Sequence, residues 1–232
     1  MSTEVDIGNA VKNASEVIDK TLSFDAEIGD TKVKYSAWIA TLATAGFGLT
    51  LWNYDKILQH SWLLHHPRVL NAIFISTSGV FLLSIACSAG ALAVSNKLSA
   101  SFKQQRTLIS RRGFIMMNHL EAFKADAEVR LVMQGVPTAF IADRLFEDLV
   151  ASEGGAMDYE FPTDTQLTDD YKQSQIGHEF ALLTKLLKPI ANSLTELQNA
   201  RLRDAGRLSW LILIQQLLVG WGYGCLLLLA SP

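Results

Sequence analysis

Two adjacent arginines, Arg111 and Arg112, stand immediately before an apolar helical stretch and at the end of a run from Lys97 to Arg112 that contains no acid. A pair of guanidinium forks there suits one phosphate, and Asn118 or His119, a turn or two further on, is placed to meet a base or a sugar. Lys185, in a later helical stretch, is a further cation for the same anion. The competing reading of all three cations is that they anchor topology or contact anionic lipid, as basic residues beside a membrane exit commonly do. Catalytic chemistry has less to stand on. The chain holds no Walker loop, dinucleotide fingerprint, cysteine pair or serine elbow. His178-Glu179 opens like a zinc-protease motif, but Leu182 stands where the second histidine belongs. Arg112 and His119, with six residues between them, match the loose Arg-to-His spacing of helical ribonucleases, a pattern that arises readily by chance. The expectation is therefore a binding protein and not an enzyme, with no metal and no catalytic residues.

The groups just named must be positioned by elements that the charge distribution defines. Three stretches lack Asp, Glu, Lys and Arg: Tyr35 to Tyr54 (20 residues), Val69 to Asn96 (28) and Leu208 to Pro232 (25). A hydrocarbon core is crossed by roughly 20 helical residues, so each stretch is long enough to span. Residues 1 to 34 carry seven acids and four bases, unlike a cleavable secretory signal. Cys87 and Cys225 both fall in apolar stretches and read as small packing groups. A net charge of -3 opposes bulk-charge binding to DNA or RNA, so a nucleotide partner would have to be small.

Basic residues mark cytoplasmic flanks. Lys97, Lys103, Arg106, Arg111 and Arg112 follow the second stretch; Lys185, Lys188, Arg201, Arg203 and Arg207 precede the third; Lys32 and Lys34 precede the first. Asn53 to Arg68 has only Lys56 and Arg68, and Trp52, Tyr54 and Trp62 suit the opposite headgroup layer. His60, His65 and His66 in that loop lack a carboxylate pair and read as interfacial residues rather than a metal site.

The expected fold is an all-α membrane protein with three transmembrane helices and a helical cytoplasmic domain between the second and third. The segments are a cytoplasmic amphipathic helix (1–34), transmembrane helix 1 (35–54), a periplasmic loop (55–68), transmembrane helix 2 (69–96), a cytoplasmic domain (97–207) with a heptad helix (170–200), and transmembrane helix 3 (208–230). Ile7, Val11, Ala14, Ile18 and Leu22 form a stripe at helical spacing. A helical period also runs from Phe114 through Met117, Leu120, Phe123, Ala127 and Leu131, until Gly135 and Pro137 stop it. Ile141, Leu145 and Leu149 mark a shorter helix, and Ser152 to Thr168 reads as an acidic loop. Ile176, Phe180, Leu183, Leu187, Ile190, Leu194 and Leu197 keep a heptad seam, with Pro189 inside it predicting a kink near Lys185. Spacing leaves open whether that seam meets the N-terminal helix, the helix from Phe114, or a second copy of the chain.

Within the spans, Ser36, Ala40, Thr44 and Gly48 form a small-residue ridge, and Gly220 and Gly224 repeat the four-residue interval. Gln215 and Gln216 lie beside them, and amides are costly in lipid unless bonded. Ordinary bundle packing explains this set; an oligomeric conduction path lined by Gln215 or Gln216 is the sharper reading.

The order of these pieces resembles a known family. Gly29 to Lys34 leading into the first span, Arg111-Arg112-Gly113-Phe114-Ile115 opening a cytoplasmic helix, and Gln175-Ile176 through Lys185 ahead of the third span resemble the membrane effectors of bacterial Pycsar antiphage defence, from about residue 20 to the end. The resemblance implies an inner-membrane effector, N-terminus cytoplasmic and C-terminus periplasmic, activated by cyclic UMP or cyclic CMP. A partner nucleotide cyclase, not necessarily in direct contact, would make that ligand. The implied outcome is impaired membrane integrity and abortive infection, with a homo-oligomer in the lipid bilayer as the working form. The chain departs from the family at Met116-Met117-Asn118, where aromatics are frequent, and in its longer acidic loop. The alternatives from the residues alone are a constitutive membrane scaffold or immunity protein that binds a protein partner, and a small channel.

Overall fold

The computed structural model describes residues 3–52, 54–55, 67–152 and 175–230. Among them every regular element is helical: α1 (Thr3–Trp52), α2 (Pro67–Asn118), α3 (Leu120–Met133), a single 3-10 turn (Thr138–Phe140), α4 (Ile141–Ala151) and α5 (Gln175–Ala230). No strand occurs among the described residues. The histidine-bearing loop (His60, His65, His66) and the acidic loop beyond Ser152 lie outside them.

The chain divides into two compact units. The first holds residues 1–25 and 100–201, the second residues 26–99 and 202–232. α1, α2 and α5 contribute residues to both.

In the first unit the apolar stripe of α1 is the inner wall: Ile7, Val11, Ile18 and Leu22 are at most 3% exposed. It joins one hydrophobic cluster with Ile109, Ile115 and Met116 of α2, Phe123, Ala127 and Leu131 of α3, Ile141, Leu145 and Leu149 of α4, and Phe180, Leu183, Leu187, Ile190 and Leu194 of α5. The heptad seam therefore packs in the same core as the N-terminal helix and α2, inside one chain. Each fully buried Leu or Ile adds about 1.5–3 kcal/mol, which makes this cluster outweigh any surface ion pair of the unit. Pro189 lies within α5, which continues through it as one helix.

The period expected from Phe114 onward is shifted. Phe114 and Met117 are exposed, whereas Gln105, Ile109, Arg112 and Met116 are buried. The reason is continuity: α2 arrives from residue 67 with its own phase and ends at Asn118, and His119, at φ -118° and ψ 40°, separates it from α3. The inward face is therefore set by the earlier turns of α2 and not by a new helix beginning at Phe114. At the far end of α3, Gly135 has φ +81°. Its N–H bonds to Val132 O at 2.9 Å and that of Val136 to Leu131 O at 2.9 Å, the paired bonds of a glycine-terminated helix.

The second unit buries polar side chains among its apolar ones and carries many large apolar side chains outside. Ser36, Thr50, Thr77, Ser84 and Gln215 are at most 1% exposed, while Trp38, Ile75, Leu82, Leu83, Trp210, Leu217, Trp221 and Leu227 are each more than half exposed. Two helices, Pro67–Asn118 and Gly177–Leu229, are long and apolar enough to cross a membrane, with mean hydropathy 2.0 and 1.8 over their most apolar windows. Only 22% of each window is buried, unlike the core helix of a water-soluble protein. The first charge-free stretch, with its threonines, glycines and serine, is not among them.

Candidate functional site

The residues expected to bind an anion do not share one surface. Consecutive helical residues point about 100° apart, and α2 turns Arg111 outward while Arg112 is only 4% exposed. Arg112 is already engaged by groups of the chain. Asn118 is exposed at the last turn of α2, His119 is half-buried at the break, and Lys185 is exposed on α5. The structure thus offers Arg111, Asn118 and Lys185 to solvent and gives Arg112 to the interior.

A groove of about 450 Å3 lies beside this stretch between α1 and α2, lined by Lys12, Ser15, Glu16 and Asp19 on one side and Arg106, Ser110 and Gly113 on the other. Arg106 Nη2 donates to Asp19 at 2.6 Å, and its Nε makes a second ion-pair contact with the same carboxylate. Both side chains are at least a third exposed, so the pair orients the guanidinium while contributing less than about 1 kcal/mol. At Gly113 a Cβ would stand 3.1 Å from Ser15 Oγ, so α1 and α2 approach closely at that point.

A second polar cluster of this unit is not apparent from motifs. Arg201, 7% exposed, reaches Asp25 at 3.6 Å, donates to Gln105 Oε1 at 3.4 Å and lies 5.4 Å over the Phe102 ring. By position along the chain alone, Arg201 reads as a topology cation. The available signal is Gln105, a polar residue at the inward positions of a face that otherwise reads Leu98, Phe102, Ile109 and Met116. In α3, Asp126 is 9% exposed beside Arg130, with 3.9 Å between charged atoms. Burial pushes its carboxyl up to about 6, against the opposing pull of Arg130. Nε and Nη2 of Arg130 are buried without hydrogen-bond acceptors.

In the second unit Gln215 occupies the inward side of α5. Ser36 Oγ donates to its Oε1 at 2.7 Å, and its Nε2 donates to the Ser36 carbonyl at 2.9 Å. Ser88 of α2 lies 3.4 Å from Ser36 Oγ, so three helices meet at one polar knot. Gln216, by contrast, is exposed and donates to the Tyr35 hydroxyl at 2.9 Å. Gly220 and Gly224 face open space. The close-packing glycines are instead Gly46 and Gly222: a Cβ on either would collide with the ring of Phe81, at 2.7 Å for Gly222. Phe81 is fully buried and also meets Tyr223 edge-on at 5.4 Å, while Tyr223 donates to the Leu42 carbonyl at 2.9 Å. One aromatic ring thus fills a notch made by two glycines on two other helices.

Among the described residues no group of His, Cys, Asp and Glu could hold a metal ion. Cys87 and Cys225 are unpaired thiols. Comparison with protein families, curated proteins and solved structures finds no match.

Proposed function

We propose that the chain is a bacterial inner-membrane effector with three spans, N-terminus cytoplasmic and C-terminus periplasmic, whose helical first unit receives a small anionic ligand and whose second unit alters the bilayer. The observation that carries the membrane part is the large apolar exterior of the second unit, where tryptophans and leucines stand exposed while hydroxyls and an amide lie buried among apolar residues. The register of the three charge-free stretches supports the third span. Gly46, Phe81 and Gly222 meet in one contact, so the three charge-free stretches pass one another at one level. Stretches that cross at one level are what a slab of hydrocarbon requires. The flanking basic residues supply the direction.

The ligand is a cyclic pyrimidine mononucleotide, cyclic UMP or cyclic CMP, on the resemblance set out above; a partner cyclase makes it, and membrane failure aborts the infection. The α1–α2 groove, where Lys12 and Arg106 stand among Glu16, Asp19 and two serines, is the concave surface this reading assigns to the ligand, whose anion would take Arg106 from Asp19. The test is the protein reconstituted in dye-loaded liposomes, with cyclic UMP, cyclic CMP and cyclic AMP added separately. Dye release with a pyrimidine ligand alone supports the effector reading. Liposomes that hold the protein and stay sealed with every nucleotide sink it. A constitutive scaffold is the second reading, favoured by Leu182 and Leu186, which stand exposed beside the packed seam of α5. Capture of a protein partner that is lost in Leu182→Glu would support it.

A further inference from the structure

Between Leu70 and Ala91 the buried residues of α2 are Thr77, Phe81 and Ser84, spaced four and three apart on one face. Ser88, four residues on, continues that row to the Ser36–Gln215 knot. Thr77 Oγ1 donates to the Ile73 carbonyl at 2.7 Å, and Thr50 Oγ1, buried on α1, to the Gly46 carbonyl at 2.8 Å. Ser84 makes no such bond. It is fully buried, and its hydroxyl has no hydrogen-bond partner among the described residues. An unpaired buried hydroxyl costs stability that an alanine would not, and the bundle does use buried alanines at Ala43 and Ala91. The Ser84 hydroxyl therefore points to a partner that the chain does not supply, and water is the donor and acceptor small enough to reach it.

Phe81 stands between this hydroxyl and the two threonines. Along α2, Ser84 lies three residues, about 4.5 Å, to one side of it and Thr77 four residues, about 6 Å, to the other; Thr50 lies the same four residues beyond Gly46 on α1. The ring crosses the bundle, since it reaches Gly46 of α1 and Gly222 of α5, where no side chain stands. Nothing else on those two helices fills that space once the ring turns away. Hydroxyls on both sides of one apolar ring are the arrangement of a gate that works by dewetting. A second apolar contact, Leu70 with Leu229, closes the row beyond Thr77. We propose that the row Thr77–Phe81–Ser84–Ser88 is a water path through the second unit of a single chain, closed by the Phe81 ring, and that protons cross on that water when the ring moves aside. The proposal rests on the bilayer reading of the second unit and needs no assembly of copies. Each proton that enters the file at one end is matched by one that leaves at the other, so no side chain has to ionise. Three helices leave room for a file of water and not for larger solutes.

The test uses the full chain in liposomes that trap a pH-sensitive dye, with a valinomycin-set potassium potential to drive protons inward; flotation reports insertion. Wild type is expected to stay tight. The Phe81→Ser, Leu229→Ser double variant opens both apolar contacts, and its proton entry should rise about tenfold over wild type while the dye is retained. Adding Ser84→Val should remove most of that rise. Leu82→Ser, on the exposed side of α2, should match wild type. A second variant leaves the ring in place: Ser84→Ala should leave the denaturant midpoint unchanged or lower it, because alanine gives up a hydrated hydroxyl. A raised midpoint would mean a dry, unpaired hydroxyl and overturns the proposal. So does an inserted double variant with wild-type proton entry, or proton entry that comes with loss of the dye or appears equally in Leu82→Ser, which is leakage through disturbed lipid. Protein that does not float overturns the bilayer reading with it.

Discussion

Replacing Asp126 by Asn tests how the core of the first unit handles charge. Asp126 is 9% exposed on α3, the helix that also sends Phe123, Ala127 and Leu131 into the apolar cluster. Burial raises its pKa from 3.8 to about 6, although Arg130 pulls the other way. A raised carboxylate pKa means that the folded state prefers the proton, so the stability it lends is full below about pH 4. That stability is lost as pH rises through 6. A shift of roughly two units amounts to ~3 kcal/mol at neutral pH, withheld from the wild type by the need to ionise a buried acid. Asn keeps the shape and cannot ionise. Asp126→Asn should therefore be more stable than wild type at pH 7.5, by up to ~3 kcal/mol with the attraction of Arg130 already included, and equal to it at pH 4. The assay is hydrogen exchange of α3 amides in detergent from pH 4 to 8, corrected for intrinsic rates. Wild-type protection should decline between pH 4.5 and 6.5 and the variant's should not. Equal slopes in the two proteins, or a variant less protected at pH 7.5, would refute the argument and mean that attraction to Arg130 outweighs the cost of burying the carboxylate.

The remaining predictions concern packing and polar knots. Gly222→Ala should destabilise the second unit by about 1–3 kcal/mol in denaturant titration, because its Cβ would meet the Phe81 ring, and Phe81→Leu in the same chain should recover most of that loss. Gln215→Leu should cost about 1 kcal/mol through loss of its two bonds to Ser36, whose hydroxyl keeps only the longer contact with Ser88, and the Gln215→Leu, Ser36→Ala double variant should cost less than the sum of the singles. Asp25→Ala should cost under about 1 kcal/mol, since Asp25 is 38% exposed and Arg201 keeps Gln105 and the Phe102 ring, whereas Arg201→Ala, which also strips the stem from Phe102, should cost more. Thermal unfolding of the two variants ranks them.

Helices and the inward stripe of α1 are legible in the sequence because a single period of 3.6 runs from Ile7 to Leu22 without a change of phase. The same logic misplaces Phe114 and Met117. A period counted from an arbitrary start cannot know that the helix began at Pro67, and the phase at Gln105, Ile109 and Arg112 is inherited from there. Arg112 stands out by its type, yet it turns inward for the same reason. The glycine interval of Gly220 and Gly224 is visible, but the glycines that the chain's own packing uses, Gly46 and Gly222, are identified by the distant Phe81 and not by any spacing among themselves. Neither Arg201–Asp25–Gln105 nor Ser36–Ser88–Gln215 has a local signature, since each joins residues more than fifty positions apart.

The two polar knots also differ in what they do. Arg201–Asp25 closes a charge pair at the side of a conventional apolar core, where Asp25 keeps 38% of its side chain exposed and water still screens the pair. Ser36–Gln215 lies under an apolar exterior, with Gln215 fully buried and both of its amide ends bonded to one residue of α1. In water such a bond would compete with solvent at each opening. In a bilayer the alternative partner is hydrocarbon, so separating α1 from α5 at this level leaves an amide and a hydroxyl without partners. Any rearrangement of the second unit that parts these helices must find those groups a new partner, either water in an opened path or the same groups on another copy. That requirement makes Gln215 the residue whose replacement by Leu should ease separation of α1 from α5, read as faster hydrogen exchange of the amides around Ser36 in detergent.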